Sequence, residues 1–150
     1  IQHINDRLLK LMFRKTSRQD ILTTIEKLRE QIPHIVIRTS LMVGFPSETE
    51  SEFEELVDFV QTAKLDNVGV FSYSREELSY SHNLEGHLDE ETKSRRYNRL
   101  MQAQQKVARK KLKSFVGKRL VVLVDGVHPD LDHLFPGHYP CNKKTRIPPR

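Results

Sequence analysis

Apolar side chains recur along this chain at two spacings, and the switches between them mark out helices and strands. Ile21, Leu22, Ile25, Leu28 and Ile32 fall on one helical stripe, opened by Ser17 and Asp20 at capping-box spacing and closed by Pro33. Ahead of it, Asn5 is placed to cap a shorter helix running through Arg14. An apolar, β-branched run over 35–43 then predicts a buried strand, ended by Gly44-Phe45-Pro46. Thr49 and Glu52 repeat the capping-box spacing, and Phe53, Leu56, Val57 and Val60 form the next helical stripe. A second strand is predicted over 68–73.

Helix, strand, helix, strand with short connections is the pattern of a parallel α/β architecture, and two strands do not close a sheet, so part of a barrel is expected outside this sequence. Residues 74–88 carry no period. A long helix is predicted from Asp89 to about Phe115, with a narrow apolar stripe of Tyr97, Leu100, Met101, Val107, Ala108, Leu112 and Phe115. Gly117 ends it. Leu120 to Val124 reads as a strand followed by the Asp125-Gly126 turn signal, the opening of a small β domain. The last stretch, 136–150, has four prolines and no periodicity and is expected to be disordered.

Composition adds limits. The 150 residues are 37% hydrophobic and 30% charged, with mean hydropathy −0.59, and there is no apolar run near the ~18 residues of a membrane span, so soluble material is expected. The opening Ile1-Gln2-His3-Ile4-Asn5-Asp6-Arg7 has neither an initiator methionine nor the charge-then-apolar order of a signal peptide, and reads as a chain entered midway. One cysteine, Cys141, excludes an internal disulfide and fits a reducing cytoplasm.

The net charge of +5 is unevenly spread. Residues 1–92 hold 10 Lys or Arg against 17 Asp or Glu, residues 93–119 hold 11 and no acid, and the remainder hold 4 against 3. One basic segment therefore follows an acidic part. It is either a solvated helix face or a surface for an anionic partner, RNA being the obvious one. Lys106, Arg109, Lys110 and Lys113 share a face by their i, i+3, i+4, i+7 spacing, and Lys111 lies to the side.

The candidate chemistry lies at the strand ends. Along the first strand Val36, Arg38, Ser40 and Met42 share one face. An arginine in a buried strand costs several kcal/mol unless paired, so Arg38 is expected to meet a carboxylate, either of the protein or of a bound ligand. The turn from Gly44 to Glu48 leads into a helix N-terminus able to receive an anion. Ser72-Tyr73-Ser74-Arg75-Glu76-Glu77 stands at the end of the second strand, where parallel α/β enzymes keep their sites, although a polar surface loop has the same composition. His128, His133 and His138, near Asp130, Asp132 and Cys141, match no zinc spacing, and prolines 129, 136 and 140 break any helical face, so no metal site is expected there.

Three stretches together resemble the radical S-adenosylmethionine methylthiotransferases: Gln2-His3-Ile4-Asn5-Asp6-Arg7-Leu8-Leu9, then Ile37-Arg38-Thr39-Ser40-Leu41-Met42-Val43-Gly44-Phe45-Pro46-Ser47-Glu48-Thr49, and Gly69-Val70-Phe71-Ser72-Tyr73-Ser74-Arg75-Glu76-Glu77. The resemblance covers residues 1 to about 135. The first and third stretches favour the branch that methylthiolates an aspartate of a small-subunit ribosomal protein over the sibling branch that modifies an adenosine of tRNA. It implies an α/β fold: 1–88 as the C-terminal part of a partial (βα) radical SAM barrel, 89–116 as a basic linker helix, 117–135 as the start of a truncated TRAM β-domain, and 136–150 as a divergent tail.

The resemblance also implies a cytoplasmic transferase using S-adenosylmethionine and two 4Fe-4S clusters. The cluster cysteines, in a CxxxCxxC motif and elsewhere, belong to segments N-terminal to Ile1, so this chain alone is expected to bind no cluster and to be inactive. Its own residues would position ligands. Arg38, Ser40 and Gly44 would line the cofactor side, Gln2, His3, Ser74, Arg75 and Glu76 the substrate mouth, and Lys106, Arg109, Lys110 and Lys113 would face ribosomal RNA; no residue is assigned a catalytic or metal-binding role. Leu78-Ser79-Tyr80-Ser81 stands where the family has Gly-Thr and an alanine, and the TRAM pattern dissolves near Pro136. A split, frameshifted or truncated gene is the expectation these departures raise, and a non-catalytic RNA- or ribosome-binding remnant is the alternative function.

Overall fold

A computed structural model of the chain describes residues 1–119. They contain α1 (Asp6–Leu11), α2 (Arg18–Gln31), β1 (Arg38–Val43), α3 (Glu50–Ala63), β2 (Asn67–Ser72) and α4 (Glu90–Lys113), with one 3₁₀ turn at Tyr80–Asn83. Residues Ile1–Ser114 form one compact unit; the described part of the second, which begins at Phe115, is a turn in which the Lys118 amide donates to the Phe115 carbonyl. The strand expected at 120–124, the remainder of the β domain, the tail, the three histidines and Cys141 lie outside the described residues.

Helix starts follow local chemistry. Asn5 Oδ1 accepts from the amides of Arg7 and Leu8, and both capping boxes close: Ser17 with Asp20, and Thr49 with Glu52. Asp89 caps α4 by accepting from the Thr92 amide at 2.7 Å. Helix α1 is shorter than expected, because Phe13 turns left-handed (φ 54°) and ends it. Lys64 does the same after α3, with φ 47°.

β1 and β2 pair in parallel, Arg38 opposite Asn67 and Val43 opposite Ser72, and the Met42 amide donates to the Gln2 carbonyl, so the extended first residues run along the other side of β1. The strand begins three residues later than its apolar run, since the Ile37 amide is taken by the Asp66 carboxylate (2.9 Å). Side chains alternate as expected. Leu41, Val43, Val68 and Val70 point into a core built with Phe53, Leu56 and Val60 of α3 and Leu100 and Ala103 of α4. Each such side chain, fully buried, contributes roughly 1.5–3 kcal/mol.

On the other face of the pair Arg38, Ser40 and Phe71 are exposed, Phe71 at 57%, while Met42 at its carboxyl end packs against a small cluster with Leu8 and Leu11 of α1. This corrects the expectation of a strand buried on both faces. Arg38 is exposed and has no ion pair among the described residues, so the cost of burying its charge does not arise among them. Alternation separates two faces of a strand, but not which of them a helix covers. No helix among the described residues is long and apolar enough to cross a membrane.

Candidate functional site

The carboxyl ends of β1 and β2 open into a cavity of about 490 Å³. Its lining is largely apolar: Met42 and Phe45 from the end of β1, Tyr73 from the end of β2, and Leu11 and Met12 from the end of α1. Gln2, Arg14, Ser72, Ser74 and Glu76 supply the polar groups, and Phe13 and Tyr80 meet edge-on at the rim, centroids 4.8 Å apart. An apolar hollow with a few convergent polar groups at strand ends is the usual form of a ligand site in parallel α/β proteins.

Tyr73 marks the inner wall. Its ring packs edge-on against Phe45 at 5.3 Å, with the Lys93 ammonium 5.7 Å from the centroid. Its hydroxyl is buried and has no hydrogen-bond partner among the described residues. A buried hydroxyl is normally paired, so this one stands out in the wall residue that bears it.

Behind the cavity a buried carboxylate ties three parts of the chain together. Glu48 is 2% exposed, and accepts from the Gly44 amide at 2.5 Å, from Arg96 Nη1 at 3.0 Å and from His3 Nε2 at 3.3 Å. The Asn5 amide donates to His3 Nδ1 at 3.0 Å, so that nitrogen is the acceptor and the proton resides on Nε2, directed at Glu48. Arg96 also donates to the Glu48 carbonyl (3.0 Å) and to Glu50 (2.9 Å), and its guanidinium lies 5.3 Å from the centre of Phe53. The Lys93 stem lies over Gly44, whose φ of +75° and lack of a side chain leave room for it.

Beside this hub, Arg7 joins α1 to α3 through two 2.6 Å hydrogen bonds to Glu52. Hydrogen bonding from Arg7 is the largest influence on the Glu52 carboxyl and, with the Thr49 amide and hydroxyl, brings its pKa down to about 2 against the opposing effect of burial. Glu52 is therefore ionised throughout the ordinary pH range, and the clasp between α1 and α3 keeps its charge there.

The expected site residues separate into those that meet and those that do not. Gln2, Ser74 and Glu76 line the cavity, with the Ser74 hydroxyl donating to Glu76 at 2.9 Å. His3 is buried behind it, and Arg75 does not line it but donates to the His82 carbonyl at 3.0 Å. Of the cofactor set, Gly44 lies beneath Lys93, and Arg38 and Ser40 stand along the open sheet face, Arg38 at the end of β1 opposite the cavity. Sequence reasoning placed Tyr73, Phe45 and Glu48 in candidate stretches without giving them a role, and did not single out Lys93 and Arg96. One signal was present: Lys93, Arg96, Leu100, Ala103 and Val107 recur at spacings of three and four, so two cations occupied a packing stripe.

Residues 1–60 match the family model described as the radical SAM superfamily, and the small parallel sheet with its flanking helices is consistent with a fragment of that class. Within that superfamily the chain is similar to methylthiotransferases of the RimO type. It is 50% identical over 139 residues to the ribosomal protein uS12 methylthiotransferase RimO of Protochlamydia amoebophila, covering 93% of this chain and 29% of that protein. The RimO of Chlamydia abortus is 48% identical over the same share of this chain and 30% of its own length. The RimO of Clostridium botulinum is 50% identical over 125 residues, 83% of this chain and 28% of that protein. The chain thus spans about three-tenths of the length of these relatives.

Proposed function

We propose that this chain forms the later part of a (βα) radical SAM barrel that methylthiolates an aspartate of ribosomal protein uS12, and that its cavity receives S-adenosylmethionine and the substrate loop. In this reading α4 links the barrel to a TRAM β-domain beginning near 117. The observation that carries it is the cavity at the carboxyl ends of two parallel strands, walled by Met42, Phe45 and Tyr73 and edged by Gln2, Ser74 and Glu76.

The implied cofactors differ in how they suit this chain. S-Adenosylmethionine is amphipathic, and the cavity offers matching groups: Met42, Phe45 and Tyr73 for apolar parts, Gln2, Ser74 and Glu76 for hydroxyls and amines, and Arg14 for a carboxylate. When bound, it supplies the radical-forming and group-transfer chemistry of its class. The residues of this chain hold and orient it, and the apolar wall excludes water. A four-iron cluster does not fit. Such clusters are held by several cysteine thiolates, and this chain has only Cys141. No step of the reaction is therefore assigned to cluster ligands here.

Anaerobic reconstitution of the 150-residue chain with iron and sulfide tests this division. The chain is expected to remain without the visible absorbance of a four-iron cluster and to leave S-adenosylmethionine intact. A stoichiometric cluster on this chain would overturn the assignment, because one thiolate cannot hold it.

A further inference from the structure

The basic residues of α4 fall into two groups. Lys93 pairs with Glu90 (2.7 Å), Arg95 with Glu50 (3.8 Å), Arg96 with Glu48 and Glu50, Arg99 with Glu54 and Glu50, and Lys111 with Asp66 (2.5 Å). These cations hold the helix to α3 and to the loop before β2, or brace its first turn. Lys106, Arg109, Lys110 and Lys113 are different. All four are exposed, and none has an acidic partner among the described residues.

They also crowd one another, because 106 with 110 and 109 with 113 are like charges one turn apart, an arrangement that disfavours a helix. Attraction to the carbonyl end of the helix offsets this for Lys110 and Lys113, which lie in the last turn, and fails to account for Lys106 and Arg109. The surface continues beyond the stripe. Lys110 and Lys111, the latter held by Asp66, line a groove of about 350 Å³ with Val107, Lys64, Gln61 and Ser114, so a lysine just past α3 stands near the stripe. A row of unpaired cations one helical turn apart suits a chain of regularly spaced phosphates.

We propose that Lys106, Arg109, Lys110 and Lys113, continued by Lys64 into the groove beside α3, form a docking surface for the phosphate backbone of RNA. The inference does not rest on the enzymatic reading, although an enzyme acting on a ribosomal protein would meet RNA around its substrate.

The test is binding of a fluorescein-labelled RNA hairpin to the whole chain, followed by anisotropy across a series of KCl concentrations. The triple variant K106Q/K110Q/K113Q is expected to weaken binding at low salt by at least about tenfold and to reduce the slope of log affinity against log salt by up to ~2.7 units, at about 0.9 per phosphate contact. Glutamine is nearly as good a helix former as lysine, so far-UV circular dichroism should match the wild type. The charge-matched variant K10Q/K15Q/K27Q, built on exposed lysines elsewhere, is expected to stay within roughly twofold of wild type. An unchanged slope in the stripe variant would overturn the proposal, as would equal losses in both variants, which would indicate net charge alone. Displacement of the hairpin by polyglutamate at matched charge would also overturn it, pointing to an acidic protein as the partner.

Discussion

Replacing Arg96 with alanine is expected to cost about 3–5 kcal/mol of stability, the largest loss of any single side chain in the site, because it strands a carboxylate that water does not reach. Glu48 is 2% exposed and Arg96 is 4% exposed. Removing the guanidinium leaves Glu48 with only the Gly44 amide and the neutral His3 ring as donors. In urea the midpoint should fall by roughly 2 M at a slope of ~2 kcal/mol per molar. Arg96→Lys should recover only part of this, since an ammonium does not reproduce the fork that reaches the Glu48 carbonyl, its carboxylate and Glu50 together. The double variant Arg96→Ala, Glu48→Gln should be more stable than the sum of the single losses, because the second change removes the charge the first left unpaired. A loss below ~1 kcal/mol for Arg96→Ala would show that Glu48 is solvated when unpaired and is no hub.

Gly44→Ala is expected to cost about 2–5 kcal/mol, by two separable routes. A residue with a side chain pays about 1–2 kcal/mol for the left-handed backbone, and Gly44 has φ +75°. The new Cβ would also stand 2.6 Å from Lys93 Cγ, a clash that forces the first turns of α4 away from the strand end. Overpacking of this kind adds roughly 1–3 kcal/mol. In a Lys93→Ala background the clash disappears and only the backbone share should remain. Thermal or urea unfolding of the four variants checks this, and an identical cost of Gly44→Ala in both backgrounds would show that Lys93 does not press on the turn.

Local features were legible in the sequence because local chemistry sets them. The Ser17–Asp20 and Thr49–Glu52 boxes, the Asn5 and Asp89 caps and the alternation along both strands depend on neighbours a few residues apart. The cavity was half legible: the end of the second strand pointed to Ser74 and Glu76 and the family resemblance to Gln2, whereas Met12, Phe13 and Arg14 reach it only because a left-handed residue ends α1 early. The exposure of Arg38 was not legible, since a strand's period does not say which face is covered. The Glu48 hub was hidden for another reason. Its partners lie 45 and 48 residues away, and charged positions in α4 read as solvent-facing until the opposing carboxylate is seen.

The most direct measurement is a segment exchange. The RimO of Protochlamydia amoebophila shares 50% identity with this chain over 139 residues, so the matching segment of that protein is replaced by this one, and the chimera is reconstituted anaerobically with iron and sulfide. Mass spectrometry of uS12 after incubation with S-adenosylmethionine and reductant reads the outcome. A methylthio group on the substrate aspartate is the expected result. A chimera that folds and holds its clusters yet leaves the aspartate unmodified would contradict the claim that this chain builds the later wall of a methylthiotransferase barrel.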